Sequence, residues 1–532
     1  MDKIKKIFSN TRYSIWILFG IILIGIFLRT YNFHNWLYFG GDQARDAALI
    51  GDVVNGKAGW PLLGPHMKNM EFKMGPIYYW FEIISAKIFE NGPDKIAYPD
   101  LFFGILSIPL LYFFLKRYFK VNLSLAIVGL FSVSYFAIKY SRFTWNPNSV
   151  PFFVILLLFS FHEFLVKKEK TGWIWIVLVG ISMGVGIQLH AILLVLFPIF
   201  SLIIFIYSIK NIPKIWKKWT VILTVAMIIN APQIISEFKT GFSNSKLFFS
   251  NSNASNAQSI RNLEYLVDCN IQANLNIVSS MGGEDRCDFL YRKLFQNIFS
   301  LKKIIKNGYT QIAVMLIGIS LLFSGYLLLF LRLKKEKNEN KKYFLGLVLV
   351  YAILSLLVML PIGNSLRIRY FMHIVPLPFI FLGLIADFLN KKVKWGTLAV
   401  IAIFVLFFST NAVSIYGSAK SFYAKNKSYQ DFAVIGEMND MIKYMQQQAY
   451  PQKEAYFSGN PNYAWVFSDS LEYMGVRQNF PITISELKNI EYGKVIFFLD
   501  YFPKKSIPNQ FENRKVENYR QFGKFFLYKL QN

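Results

Sequence analysis

The stretch Gly40-Gly41-Asp42-Gln43-Ala44-Arg45-Asp46 lies just past the first long apolar segment of the chain, residues 14–28. Two carboxylates four residues apart flank an arginine, and the residues that follow favour a helix. That spacing places Asp42 and Asp46 on one helical face. In isolation the pattern is typical of a helix start, at which Asp42 would accept backbone N–H bonds. The surroundings of the stretch therefore decide between a capping role and a catalytic one.

The composition is that of a membrane protein. Of the 532 residues, 54% are hydrophobic and 18% aromatic, and uncharged runs near the length needed to span a bilayer recur along the chain. The net charge of +27 does not indicate nucleic-acid binding, because Lys and Arg cluster between the apolar spans as the positive-inside rule predicts. The first apolar run is long enough to span, and no persuasive small-residue cleavage site is evident. We therefore interpret it as a retained helix rather than a signal peptide.

Eleven spans are predicted. They alternate so that every compact basic cluster between spans lies on one side, which we assign to the cytoplasm together with the N-terminus. Two long outer loops result, 30–98 and 237–308, and within the first loop residues 76–89 are predicted to form a helix at the membrane surface with its aromatic residues at headgroup depth. The sequence predicts a polytopic α-helical membrane domain over 1–419 and a small extracytoplasmic α/β domain over 420–532.

The polar side chains of the membrane part gather at the outer ends of the spans rather than at the bilayer midplane, where ion-coupled transporters usually place them. They are Asp42, Arg45, Asp46, Glu71, Lys73, Lys139, Arg142, His190, Arg367 and Arg369. Cations at this depth predict binding of a lipid phosphate. A carboxylate beside them could act as general base on an acceptor hydroxyl that attacks a sugar, while the cations stabilise the departing phosphate.

These features resemble the GT-C fold membrane glycosyltransferases. In particular, they resemble the polyprenyl-phosphate-sugar-dependent family that includes protein O-mannosyltransferases and the aminoarabinose transferase of lipid A. The resemblance covers roughly residues 10–390. The motifs that carry it, all on the predicted outer side, are 41–46, 75–80, 141–147, 190–198 and Arg369-Tyr370.

The resemblance implies roles for individual residues. Asp42 matches the catalytic aspartate of the first outer loop, and Arg45 and Asp46 would shape the same site. His190 falls where relatives often carry a lysine that contacts the donor phosphate. Arg367 and Arg369 would be further phosphate ligands. The remaining predicted substrate-binding residues are Glu71, Lys73, Tyr78, Arg142, Asn146 and Tyr370.

The chain departs from the family pattern at two places. An Asp-Pro pair is common before the fourth span, and here it is Asn146-Pro147, in which asparagine cannot act as a base. The lysine-proline pair of the late first loop is Gly75-Pro76 here, with Lys73 two residues earlier. These departures affect the prediction of which acceptor and which sugar are used more than the prediction of the reaction class.

The sequence predicts an inverting glycosyltransferase, a hexosyl- or pentosyltransferase, of the plasma membrane. It would use a polyprenyl-phosphate-linked sugar and an extracytoplasmic lipid, glycan or protein acceptor. Two alternatives stay open: a lipid-sugar transporter or flippase, and a surface-glycan polymerase or ligase with a pyrophosphate-linked donor.

Asp42 and Asp46 could also hold a divalent metal, which the sequence does not favour because no complete ligand set is evident. Cys269 and Cys287 share an outer loop, so an oxidising compartment would permit a disulfide, and two free thiols are the alternative.

Overall fold

Eighteen α-helices and six strands build the described part of the chain. The computed structural model describes residues 11–67, 71–209, 212–250, 259–282, 287, 309–423, 434–460, 467–501, 510–523 and 525–531. The N-terminal basic residues and part of the predicted loop 237–308 lie outside this set.

Sixteen of these α-helices lie before residue 424. They are α1 (Thr11–Thr30), α2 (Gly41–Val54), α3 (Ile77–Phe89), α4 (Tyr98–Leu115), α5 (Val121–Val133), α6 (Tyr135–Lys139), α7 (Val150–Lys167), α8 (Trp173–Leu189), α9 (Ala191–Tyr207), α10 (Ile212–Lys239), α11 (Ser243–Ser250), α12 (Ser259–Ser279), α13 (Tyr309–Lys335), α14 (Glu339–Met359), α15 (Pro376–Lys392) and α16 (Gly396–Tyr423). A short 3₁₀ segment, Ile368–Ile374, precedes α15.

The chain is a polytopic helical membrane protein, as predicted. Among the described residues, seven helices are long and apolar enough to cross a bilayer: α1, α4, α7, α10, α13, α14 and α16. The segment Ile368–Ile374 and α15, bent by 65° at their junction, pass the same test together. The apolar helices α5, α8 and α9 are shorter. Each of the eleven predicted spans thus coincides with an apolar helix, while the number of membrane crossings stays a prediction.

Helix α7 forms the centre of the bundle. Almost all of its side chains are buried, and it packs against α4, α8 and α14. Helix α8 in turn packs closely on α10 at Gly184, whose missing side chain leaves room for Ala226. The helix predicted over 76–89 is present as α3, yet Tyr78 and Tyr79 lie in the protein core. They are buried because this helix packs against α2, α4 and α8, while the headgroup depth of its aromatic residues stays a prediction.

A six-stranded sheet lies near the C-terminus. Its elements are α17 (Ile435–Ala449), β1 (Ala455–Gly459), α18 (Ser468–Arg477), β2 (Ile482–Ile484), β3 (Ile496–Tyr501), β4 (Gln510–Phe511), β5 (Arg514–Phe522) and β6 (Phe525–Leu530). The strand order is β2-β1-β3-β6-β5-β4, with β1 parallel to both neighbours and the β3–β6–β5–β4 pairs antiparallel. The predicted α/β arrangement of the C-terminal region is therefore present.

Alternation along the strands gives this sheet two apolar faces. Phe497 and Leu499 join the same buried cluster as α17, α18 and the membrane helices. Ile496 faces the other way, into a small separate core with Leu487 and Ile490. The first face attaches the sheet to the rest of the molecule.

Candidate active site

The start of α2 is held by a glutamine rather than by an aspartate. The helix begins at Gly41, the Gly40 N–H donates to Gln43 Oε1 at 3.1 Å, and Gln43 Nε2 donates to the Thr144 carbonyl at 2.8 Å. The capping alternative for Asp42 is therefore wrong in this structure, because Asp42 already lies in the first turn with its side chain 74% exposed. Its carboxylate is open to an incoming ligand.

Arg45 bridges the two predicted carboxylates. Its Nη1 lies 3.1 Å from Asp42 Oδ1, and its Nε and Nη2 donate to Asp46 Oδ1 at 2.9 and 2.8 Å. Asp46 is only 5% exposed and also accepts a 2.8 Å hydrogen bond from the Tyr79 hydroxyl. Burial raises the pKa of Asp46, and Arg45 and Tyr79 oppose that rise. The two acids are on one helical face, as predicted, but only Asp42 is exposed.

A cavity of about 1240 Å³ opens beside Asp42, between the outer ends of α1 and α16 and the α6–α7 connection. Its apolar side chains include Phe27, Leu28, Val133, Ile138, Phe408, Ala412 and Ile415. Its charged side chains are Asp42, Lys139, Arg142, Arg369 and Lys420, and its aromatic ones include Trp36, Tyr38, Phe143 and Trp145. Within the described lining, one carboxylate and four cations thus share the cavity with an apolar wall.

Arg369 is the cation best placed to take an anion. Its guanidinium carbon lies 5.9 Å from the Trp145 ring centroid and 5.7 Å from that of Tyr370. Its Nε is buried and has no hydrogen-bond partner within the described residues. A buried donor without a partner is costly, and a guanidinium can bind an oxyanion through two N–H groups.

Arg142 lines the same cavity but has a structural task. Its Nη1 donates to the carbonyls of Leu28 and Arg29 at 3.1 and 3.0 Å, and its Nη2 donates to that of Tyr31 at 2.8 Å. These carbonyls belong to the last turn of α1 and the residue after it, where no intrahelical donor remains. Burial lowers the pKa of Arg142 to about 10. The residue therefore secures the end of α1 and adds positive charge to the cavity wall.

The other predicted site residues are not among the described residues that line the cavity. Of the predicted set, the described lining contains Asp42, Arg142 and Arg369. The Lys73 backbone exchanges two hydrogen bonds with Asn244, at 2.8 and 3.0 Å, and Glu71 is exposed. Asn146 Nδ2 donates to the Leu189 carbonyl at 2.8 Å.

The histidine, the remaining arginine and the tyrosines have the following surroundings. His190 is buried at the start of α9, where its Nδ1 accepts the Ile192 N–H at 3.1 Å. Tyr78 is buried with its ring centroid 5.5 Å from that of Tyr79. Arg367 and Tyr370 are half-buried in the segment before α15. Substrate roles for these residues stay predictions.

Several residues of the site were not predicted from the sequence. Lys420 was not among the predicted polar side chains, although it lies at the end of a predicted span where the positive-inside rule disfavours lysine, whereas Lys139 was among them. The sequence offers no comparable signal for the tie from Gln43 to Thr144, which are 101 residues apart. Within the described residues, no group of three or more His, Cys, Asp or Glu side chains could hold a metal ion.

Cys269 and Cys287 form a disulfide. The bond joins α12 to residue 287, whose neighbours on both sides lie outside the described part of the chain. Near it, Gly363 packs directly on the Asn262 backbone. Helix α12 itself packs against the segment Ile368–Ile374 that carries Arg369.

Comparison with known proteins bears on this arrangement. A family model described as "Dolichyl-phosphate-mannose-protein mannosyltransferase" matches residues 73–235. The chain resembles this family. It is also 26% identical, over 217 residues, to the undecaprenyl phosphate-alpha-4-amino-4-deoxy-L-arabinose arabinosyl transferase of Wigglesworthia glossinidia brevipalpis. That match covers 40% of this chain and 37% of the relative. The resemblance predicted from the motifs is therefore confirmed.

Solved structures with some likeness include ArnT from Cupriavidus metallidurans bound to undecaprenyl phosphate, with a TM-score of 0.46, 12% identity and 98% of both chains covered. The Archaeoglobus fulgidus oligosaccharyltransferase has a TM-score of 0.47 and 14% identity over 89% of this chain and 62% of its own. The Saccharomyces cerevisiae Pmt1-Pmt2 complex has a TM-score of 0.33 and 12% identity over 46% of this chain and 36% of its own.

Proposed function

We propose that this protein is an integral-membrane glycosyltransferase that moves a sugar from a polyprenyl-phosphate donor to an acceptor outside the cytoplasm. The observation that carries the proposal is the cavity beside Asp42. Among the described lining residues, it joins an apolar wall, suited to a prenyl chain, to four cationic side chains and the exposed carboxylate of Asp42. The resemblance to transferases named for dolichyl phosphate and undecaprenyl phosphate supports the same donor class.

The reaction assigns each group a task. Asp42 accepts the proton of the acceptor hydroxyl as its oxygen attacks the anomeric carbon. The bond from that carbon to the phosphate oxygen breaks, and the electron pair leaves with the lipid phosphate. Arg369, with Lys139 and Lys420, stabilises the negative charge that grows on this phosphate. Direct displacement inverts the anomeric centre. The exposed position of Asp42 leaves room for an acceptor on the aqueous side.

The proposal also includes the orientation of the site relative to the membrane. With the basic inter-span clusters on the cytoplasmic side, the cavity and the C-terminal sheet face outward at the plasma membrane. Residues 1–419 form the catalytic membrane domain and residues 420–532 the extracytoplasmic domain. Asp46, held by Arg45 and Tyr79, orients Arg45 toward Asp42.

The test uses the full chain reconstituted in vesicles with radiolabelled undecaprenyl-phosphate hexoses and pentoses and an envelope extract as the acceptor pool. The proposal expects release of undecaprenyl phosphate together with transfer of label to the extract. Matched undecaprenyl-pyrophosphate sugars should be consumed much more slowly. Faster use of the pyrophosphate donors would instead indicate a glycan polymerase or ligase. Movement of labelled lipid across the bilayer without bond cleavage would indicate a flippase.

A further inference from the structure

The C-terminal sheet domain contacts the segment that leads into Asp42. The Ile435 N–H donates to the Leu37 carbonyl and the Gly436 N–H to the Asn35 carbonyl, both at 3.0 Å. Tyr38 pairs with Val434 as an antiparallel bridge. The start of α17 therefore pairs with residues 35–38 through backbone hydrogen bonds, which are independent of side-chain identity.

Helix α18 continues this contact toward the catalytic residue. The Ser470 hydroxyl donates to the Phe39 carbonyl at 3.0 Å, and both residues are fully buried. The Phe39 and Tyr473 rings lie 5.6 Å apart. A Cβ placed on Gly41 would lie 2.8 Å from Asp469 Oδ2. Helix α18 thus contacts Phe39 and Gly41, which lie three residues and one residue before Asp42.

This contact matters because the residues between Phe39 and Asp42 are Gly40 and Gly41. Glycine loses more backbone freedom on ordering than any other residue, so this pair does not hold Asp42 in place by itself. Gln43 fixes the helix side of the pair through Gly40 and Thr144. Ser470 and Tyr473 fix the other side at Phe39. A catalytic base is effective only when it is held within a fraction of an ångström of its productive position.

We propose that α18 is a positioning element of the active site, and that Ser470 is a positioning residue that holds Phe39, and through it Asp42, against the cavity. The inference rests on the proposed function, since it assigns Asp42 as the base. It makes the C-terminal domain a part of the catalytic unit rather than an appended module. The continuity of the buried cluster from Phe39 to Leu471 and Met438 agrees with this assignment.

Ser470→Ala removes the hydroxyl and leaves the buried Phe39 carbonyl without its donor. The assay is transfer from an undecaprenyl-phosphate sugar in vesicles. We expect kcat to fall about tenfold or more while KM for the donor lipid stays within about twofold, since misplacing a catalytic group by a fraction of an ångström has effects of this order. Ser470→Thr keeps the hydroxyl and should restore most of kcat. Ser470→Cys, a weaker donor of similar size, should lie between them.

Hydrogen–deuterium exchange gives a second readout that needs no substrate. Amides of residues 37–46 should exchange faster in Ser470→Ala than in the wild type, while those of α7 stay unchanged. Ser485→Ala is the matched control, since Ser485 lies in the same domain and its hydroxyl donates to the carbonyl of the neighbouring residue, Glu486, while its backbone bond to Phe457 is kept. It should alter neither exchange nor kcat.

The outcomes separate the two proposals. Wild-type kcat and exchange in Ser470→Ala would overturn the positioning role. So would a loss of kcat that Ser470→Thr fails to restore and that comes with faster exchange throughout the molecule, since this indicates general destabilisation. A wild-type protein that transfers no sugar would contradict the proposed function, while exchange at residues 37–46 would still test whether Ser470 holds this segment.

Discussion

At the scale of single residues, two acids of similar sequence context have different surroundings. The spacing placed Asp42 and Asp46 on one face of a helix, and the structure keeps them there. It buries Asp46 behind Arg45 and Tyr79 and leaves Asp42 exposed at the cavity. Periodicity predicts the shared face, but burial depends on Tyr79 of another helix, which spacing within α2 does not reveal. Because Tyr79 helps to bury Asp46 and Asp42 stays exposed, we propose Asp42 as the base and Asp46 as the supporting acid.

Arg369 is expected to bind the donor phosphate. Arg369→Ala should raise KM for an undecaprenyl-phosphate sugar about tenfold or more, because a charge-assisted, bidentate contact to phosphate is among the stronger polar interactions. Arg369→Lys should recover only part of this loss, since an ammonium lacks the planar fork. Arg520→Ala, at an exposed site of the sheet, is the control. An unchanged KM in Arg369→Ala would show that the phosphate binds elsewhere.

Asp46 should contribute a pH dependence to stability. Burial raises its pKa, so the folded protein holds this proton more tightly than the unfolded chain does. The stability from this proton is complete below the ordinary carboxyl pKa of about 4 and is lost as pH rises through the raised value. Asp46→Asn, which mimics the protonated side chain, should abolish this part of the profile.

Thermal unfolding in detergent between about pH 4 and pH 8 measures this effect. Asp52→Asn is the control, because Asp52 is exposed on the same helix and should leave the profile unchanged. If Asp46→Asn keeps the wild-type slope, burial of the Asp46 carboxylate does not shape the stability of this region.

At the scale of elements, the positions of the apolar helices along the chain were predicted well, but the helices against which they pack were not. Long uncharged runs and basic flanks locate the eleven apolar helices because they depend on local composition. Helix α3 was also located, but its packing against α2, α4 and α8 was not predicted. An aromatic helix beside a membrane and an aromatic helix in a protein core share one composition, and only contacts with α2 and α8 distinguish them.

Gly75 is the element-scale position most sensitive to substitution. A Cβ there would overlap the side chain of Gln188. Gln188 cannot easily yield, because it accepts the Ile77 N–H at 3.1 Å and donates to the Gly184 and Ile229 carbonyls at 3.1 and 3.0 Å. Gly75→Ala should lower the free energy of unfolding by about 1–3 kcal/mol, as overpacking does.

Thermal unfolding of purified protein, with the yield of folded monomer, is the measurement for this substitution. Gly59→Ala is the matched control in the same outer loop, since no atom lies within 4 Å of a Cβ at that position. Equal stability of the two variants would contradict the packing of Gln188 against the start of α3.

At the scale of the whole molecule, the membrane and C-terminal parts were predicted separately and their docking was not. The runs 495–501 and 524–530 predict strands from their β-favouring residues, and the structure has β3 and β6 there. The contact between Ser470 and Phe39 joins residues 431 apart, and no local pattern signals it. The site is therefore only partly predictable, since the proposed base lies in a motif and the residues proposed to position it come from the far end of the chain.

The orientation of the molecule is testable with introduced cysteines, since the two native cysteines are joined. Lys488→Cys lies on the exposed surface of the C-terminal domain and Lys337→Cys between α13 and α14. A membrane-impermeant maleimide should label the first in intact cells and the second only after permeabilisation, as positive-inside topology requires. The reverse pattern would place the cavity on the cytoplasmic side and contradict an extracytoplasmic acceptor.

The most direct test of the central claim is turnover by Asp42→Asn beside Asp52→Asn, two removals of one charge from the same helix. Both proteins are reconstituted in vesicles at equal amounts with a labelled undecaprenyl-phosphate sugar that the wild type uses. With Asp42 as the base, Asp42→Asn should lower kcat about 10²- to 10⁴-fold with donor binding retained, while Asp52→Asn should match the wild type. Turnover by Asp42→Asn within about threefold of the wild type would contradict the assignment of Asp42 as the catalytic base.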